Sequence, residues 1–238
     1  MAMAIRRKMH GNVAVLPAAL AHPIIPLMCN EAARRVSVDQ IHDAFKELRI
    51  PLLFPDGLPN LAALDSIRIT DPTVVIRAFA GAPAAELVQR RWSWPGPNGK
   101  PVYNYRGEGR SFHNSPTGGR CLIPLDGFYE FTDPGTPADD APKPKRQKKD
   151  KWLFTLAPDG IMGGDFFCVA GVWRADAKVG EAFSMLTCEP GPDIAPYHHR
   201  QIVLMPRAHW ADWLSGTVAA PELIHPTPAG TLSVAPAR

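Results

Sequence analysis

The sequence predicts an α+β fold: a single domain built on a curved, mainly antiparallel, barrel-like β-sheet with a few packing helices. Three observations lead there. Short runs rich in Val, Ile, Phe and Trp recur along the chain, most of them bounded by Pro or Gly, as strands are. Only two stretches carry a convincing helical period. And 238 residues at 45% hydrophobic content are enough for one sizeable core. No apolar run approaches the length of a membrane span.

Taken in order, residues 1–28 form an unusual leader, in which Arg6, Arg7 and Lys8 precede a moderately apolar, Ala/Pro-rich segment. The pattern faintly resembles a signal peptide, but Pro17, Pro23 and Pro26 interrupt any continuous helical centre. Ser37-Val38-Asp39-Gln40 is a capping box. The helix it opens carries Ile41, Phe45 and Leu48 on one face and His42, Asp43 and Glu47 on the other, and Pro51 is expected to stop it. Residues 52–66 read as a loop and Thr73–Phe79 as a strand. Trp92–Gly99 is a turn-rich aromatic segment. Trp92 reads as a lid on the core, whereas an exposed aromatic there, such as Trp94, can stack on nucleic-acid bases.

Arg120–Phe131 reads as an apolar strand, a turn at Pro124–Gly127 and a second, aromatic strand. Alternation puts Phe128 and Glu130 on one face, Tyr129 and Phe131 on the other. Glu130 is thus a lone carboxylate among aromatics. It either faces water or is desolvated with a raised pKa, and the latter suits a general acid near neutral pH. Residues 133–151 are a low-hydrophobicity insertion, expected to be a flexible loop. Its Lys143, Lys145, Arg146, Lys148, Lys149 and Lys151 are read as solvated, with a phosphate-contacting arm as the alternative. Trp152–Leu156, Phe166–Trp173, Phe183–Cys188 and Ile202–Met205 read as strands. After Pro206 a short helix offers Trp210, Trp213 and Leu214 for packing. Beyond Leu223 there is little pattern, and 226–238 reads as a tail.

The net charge is +3, but taking Arg6, Arg7 and Lys8 from the 26 basic residues leaves 23, matched by 23 acidic ones. Whole-chain charge therefore gives no argument for nucleic-acid binding, and any such site is a local patch. Four cysteines with no close pair exclude the usual zinc signatures and suggest no disulfide framework, which makes a reducing cytoplasm the default. Cys121, Cys168 and Cys188 sit in apolar runs as small core residues. No motif supports a metal or an organic cofactor.

The run Arg-Cys-Leu-Ile-Pro-x-Asp-Gly-Phe-Tyr-Glu-aromatic ending at Phe131 closely resembles the central motif of the SRAP family, the SOS response-associated peptidases or abasic-site processing proteins. Met28-Cys29-Asn30 resembles the family's start, Asn104-Tyr105-Arg106-Gly107-Glu108 its Asn-Ala-Arg-x-Glu, and His198-His199-Arg200 its His-x-Arg. Four motifs in the right order, spanning Cys29 to about Leu214, are a specific signature. The resemblance implies an SRAP-like domain over residues 29–225. It also implies that Met28 is the true start or that the leader is removed, so that Cys29 becomes N-terminal.

An N-terminal cysteine is a 1,2-aminothiol whose amine, with a pKa of about 7.7–8, is far more nucleophilic near neutral pH than a lysine. The resemblance implies that it crosslinks to the aldehyde of an abasic site in single-stranded DNA as a thiazolidine, and that the protein processes its own leader. On this reading Glu130 is the general acid and base, Asn104 holds the Cys29 amine or the sugar oxygen, and His198 helps open the sugar and reverse the crosslink. Arg106 and Arg200, each two residues from such a group and so on its strand face, are the expected phosphate contacts. Association with the replication machinery, a monomer and a nucleoid-associated cytoplasmic location are further expectations. The sequence departs from the family pattern at three places. Glu31 stands where Arg is frequent and would repel phosphate, Pro97-Asn98 replaces a Pro-x-Trp wedge, and Gln201-Ile202 replaces Met-Pro. A thiol autopeptidase using Cys29 and His198, and a non-catalytic DNA-binding relative, are the competing readings.

Overall fold

The computed structural model describes residues 29–134, 148–158, 162 and 164–237. The leader 1–28 and residues 135–147 of the basic loop, with Lys143, Lys145 and Arg146, lie outside the described residues. The chain runs through β1 (Glu31–Arg34), α1 (Val38–Glu47), β2 (Leu52–Leu53), β3 (Leu64–Arg68), β4 (Pro72–Ala78) and β5 (Ala85–Trp92). Three short strands follow, β6 (Trp94–Pro95), β7 (Pro101–Val102) and β8 (Asn104–Arg106). Then come β9 (Gly118–Leu125), β10 (Gly127–Thr132), β11 (Asp150–Leu156), β12 (Phe167–Asp176) and β13 (Gly180–Cys188). The last elements are β14 (Gln201–Ile202), β15 (Leu204–Met205), a 3₁₀ turn at Arg207–His209, α2 (Trp210–Ser215), α3 (Ala220–Leu223) and β16 (Leu232–Ala237).

Strands β5, β4, β9, β12 and β13 pair antiparallel in that succession. A parallel pairing of Ala182 and Phe183 with Arg91 and Trp92 joins β13 back to β5 and closes a five-stranded barrel. This bears out the barrel-like α+β expectation. Alternation along each strand divides its apolar side chains between two cores. Val74, Ile76, Leu122, Cys168, Ala170 and Leu186 face outward, under α1, α2 and α3. Val75, Val88, Cys121, Ile123, Val169, Phe183 and Met185 belong to the other core, which fills the barrel and continues to a second sheet. That second sheet is antiparallel, in the order β16, β11, β10, β1, β3.

The expected capping box is present: Gln40 N–H donates to Ser37 Oγ, and Ser37 N–H to the Gln40 side chain. Ile41, Ala44 and Phe45 are the buried face of α1, and Phe45 stacks on Trp210 of α2 at 5.1 Å. The helix ends before Pro51 is reached. Arg49 adopts a left-handed φ of 57°, its N–H bonded to the Lys46 carbonyl and the Ile50 N–H to that of Phe45.

Three expectations about the fold need correction. Residues 52–66, read as a loop, contain β2, paired parallel with β5, and the first residues of β3, paired with β1. The turn read at Pro124–Gly127 is shorter, since β9 runs to Leu125 and β10 starts at Gly127, and it is a corner between the barrel and the second sheet. Asp126 fixes that corner by accepting from the Arg35 and Val36 N–H groups and the Arg35 guanidinium. And the patternless tail contains β16, which pairs with β11 over Leu232–Ala237.

Candidate functional site

Cys29, Glu130 and Asn104 meet where the two sheets join. β10 is an interior strand between β1 and β11, and its Phe128 and Glu130 share the inner face. Phe128 stacks on Phe154 at 5.0 Å, and Glu130 beside it is fully buried. β1 pairs with β10 and brings the preceding Cys29 against this carboxyl: the Cys29 N–H donates to Glu130 Oε1 at 3.0 Å. Glu130 Oε2 is buried without a hydrogen-bond partner among the described residues. Burial pushes the carboxyl pKa up to about 8, only partly opposed by the Cys29 N–H. Glu130 is therefore an uncharged acid at neutral pH.

β8 supplies the opposite wall. It pairs parallel to β13, with Asn104 opposite Met185, and the Asn104 amide donates to the Cys29 carbonyl at 3.1 Å. Cys29 is thus gripped through its N–H by one sheet and through its C=O by the other. Its thiol is fully buried, 3.8 Å from the Glu31 carbonyl oxygen. Burial first, and then the neighbouring Glu130, push the thiol pKa well above its ordinary range. Tyr103, a residue that no sequence motif singles out, belongs to this group. Its hydroxyl pKa is raised by burial and then by Cys29 and Glu130. An aromatic immediately before Asn104 is its one visible signal in the sequence.

His198 is buried in the segment between β13 and β14, with its N–H on the Ile194 carbonyl. Residues 198–200 are not in a strand, so the expected alternation does not hold: His199 stacks on His198 at 4.4 Å, and Arg200 has no strand face to share. Arg200 is instead turned onto Glu108. Both guanidinium nitrogens reach the carboxylate, one at 2.8 Å, and Nη2 also donates to Thr187 Oγ1 at 3.0 Å. The paired Arg200 holds the Glu108 carboxyl below its usual range. The Arg106 side chain is 67% exposed, its Nε 3.6 Å from Glu108. Trp92 is the expected lid, fully buried and stacked on Phe183. Trp94 is only 6% exposed, with the Arg174 guanidinium 4.8 Å over its ring.

Glu31, expected to repel phosphate, is neutralised within the fold. It accepts from Ser66 Oγ at 2.6 Å and Lys151 Nζ at 2.9 Å, with Arg68 Nε at 4.0 Å. Burial raises its pKa, but these partners outweigh it and the net shift is downward. A cavity of about 570 Å³ opens here, where Arg68, Lys148, Lys149 and Lys151 line the wall together with the carboxylates of Glu31 and Asp150. Lys151 Nζ also lies 3.8 Å from the Tyr129 ring centroid.

Fold and site together define a class: a small closed barrel with a flanking sheet, holding a cysteine backbone against a buried neutral carboxyl. A profile of the SOS response associated peptidase (SRAP) family matches residues 28–237, and the chain belongs to that family. Membership ties it to the SOS response and to DNA damage, with DNA as the related partner. Among solved structures it is similar to a phage-related protein from Bordetella bronchiseptica, with a TM-score of 0.62 and 18% identity over 88% of this chain and 94% of that one. At that identity the likeness shows the fold. No curated protein matches the chain. Among the described residues no helix is long and apolar enough to cross a membrane.

Proposed function

We propose that the protein, starting at Cys29, crosslinks to abasic sites in single-stranded DNA through a thiazolidine, and that it removes the residues before Cys29 itself. One observation carries this reading: the Cys29 nitrogen stands 3.0 Å from a buried carboxyl whose pKa is raised to about 8. A nitrogen that must first leave an amide, then attack an aldehyde, needs an uncharged acid at that distance.

In the processing step the bond before Cys29 is hydrolysed, and Glu130 gives its proton to the departing nitrogen. In the crosslinking step the freed amine adds to the aldehyde of the ring-opened sugar. Glu130 protonates the oxygen, and water leaves as the imine forms. The Cys29 thiol then adds to the imine carbon, and its proton passes to nitrogen to close the five-membered ring. The balance is aldehyde plus aminothiol giving thiazolidine plus water. Asn104 holds Cys29 by its carbonyl, His198 acts on the sugar oxygen, and exposed Arg106 meets phosphate. Arg200 acts through Glu108 and the His198 segment, and Trp94, too buried to stack on a base itself, carries the Arg174 guanidinium over its ring. The raised thiol pKa counts against a general thiol peptidase, which needs a thiolate.

The test uses protein beginning at Cys29 and a single-stranded oligonucleotide with one abasic site, resolved on a denaturing gel. A shifted band that Cys29→Ala abolishes is expected. The full-length chain should give the band only as its mass falls to that of the Cys29 form. A folded Cys29 form that gives no band overturns the proposal.

A further inference from the structure

On the face of β8 turned away from Cys29 lies a second cleft, of about 920 Å³. Successive side chains of a strand point to opposite faces, so Asn104 reaches Cys29 while Tyr105 lines this cleft. Its lining includes Arg110, Arg174 and Lys178 and no carboxylate. The cations are arranged on aromatic rings. The Arg174 guanidinium lies 4.8 Å over Trp94, and the Arg110 guanidinium 4.8 Å over Tyr105, to whose hydroxyl it also donates at 3.0 Å. Phe112 packs edge-on against Tyr105 at 6.2 Å. Arg174 shares its charge with Asp176, which is not in the lining, at 2.8 Å. Among the described residues no ion pair occupies the side chains of Arg110 or Lys178.

We infer that this cleft binds a nucleotide unit, its base stacked on the guanidinium planes and its phosphate on Lys178 and Arg110. A guanidinium held over an aromatic ring has already lost part of the freedom that binding would take from it, and its open side can receive a base. A simple anion would use the charges and leave the planes bare. An uncharged aromatic would use the planes and leave Arg110 and Lys178 without a counter-charge. A nucleotide satisfies both. It comes either from the single strand held at Cys29, continuing round β8, or as a free mononucleotide. The inference goes beyond the crosslinking reading and involves no covalent step.

The test therefore uses an undamaged, fluorescein-labelled oligothymidylate, which has no aldehyde, and follows binding to the full chain by anisotropy. Arg110→Glu with Lys178→Glu, both at exposed positions, should weaken binding at least tenfold and leave the thermal midpoint unchanged. The dependence of log K on log salt should also become shallower, by about 0.7 for each phosphate that the variant no longer neutralises. Arg174→Lys keeps the charge but removes the plane, and should weaken binding too. Thymidine monophosphate competing better than inorganic phosphate would support the inference with a free nucleotide as a sufficient ligand. Competition by unlabelled oligonucleotide alone would support it with the strand as the source. Equal competition by phosphate and mononucleotide, unchanged binding by the double variant, or no binding by the wild type would each overturn it.

Discussion

Glu130 is neutral because the fold gives it one N–H and no cation, and its pH behaviour follows. Its folded pKa of about 8 lies above the ordinary value of 4.5, so the folded state holds this proton more tightly than the unfolded chain does. The group's contribution to stability is full below about 4.5 and is lost as pH rises through about 8, at up to roughly 1.4 kcal/mol per unit in between. Glu130→Gln removes that dependence. Thermal unfolding of the variant and the wild type should diverge in the variant's favour between pH 6 and pH 9, and parallel curves would argue against a neutral Glu130. Crosslinking by the same variant should slow by about 10²–10⁴-fold, the usual worth of a general acid. His198 has a comparable built-in accommodation. Its Nδ1 lies 3.0 Å from the Arg200 nitrogen and 3.1 Å from the Arg200 carbonyl oxygen, so it accepts from the first in one tautomer and donates to the second in the other. Alternation in Phe-Tyr-Glu is enough to put Glu130 with Phe128. Its burial is not legible, because an edge-strand Glu has the same local sequence and the partner that settles it, Cys29, is 101 residues away. Glu31 misleads for the same reason: its partners Ser66 and Lys151 are 35 and 120 residues distant.

Among the elements, those with local chemical signals are legible and those made by pairing are not. The Ser37 capping box is written in four consecutive residues, and its helix starts where they place it. The stop is harder to read, since Pro51 is a familiar terminator while the actual one is a left-handed Arg49. A non-glycine residue there carries a cost of about 1–2 kcal/mol, against roughly 0.5–1 kcal/mol of extra chain entropy lost by glycine. Arg49→Gly should therefore raise stability by roughly 0.5–1 kcal/mol in denaturant unfolding with an unchanged m-value. A loss of stability would mean that the side chain contributes more than its backbone strain removes. β16 shows the other case. Leu-Ser-Val-Ala-Pro-Ala has a weak strand pattern, with Pro236 acceptable only because β16 pairs on one side, with β11. Nothing local announces it; the open edge of β11 makes it.

At the scale of the whole molecule, closure of the barrel decides what fits inside. Five strands enclose room for side chains and little else, and Val75, Val88, Cys121, Ile123, Val169, Phe183 and Met185 occupy it. Gly171 lies on β12 between Cys121 of β9 and Met185 of β13, on the inward side by alternation with Val169. A Cβ there would stand 2.4 Å from Ile123 Cδ1, 2.9 Å from the Ser184 carbonyl oxygen and 3.1 Å from Cys121 Sγ. The first and last are side-chain ends that can move, but the carbonyl belongs to the neighbouring strand and moves only with the barrel wall. Gly171→Ala should thus cost about 1–3 kcal/mol as overpacking, lowering the thermal midpoint by roughly 2–4 °C for each kcal/mol. Adding Ile123→Val removes the Cδ1 atom and should recover part of the loss, so the two changes together cost less than the sum of their separate effects. Strict additivity would mean that the backbone carbonyl alone sets the limit. A neutral Gly171→Ala would mean that the barrel wall yields, and a wall that yields could not hold β8 and Asn104 at a fixed distance from Cys29.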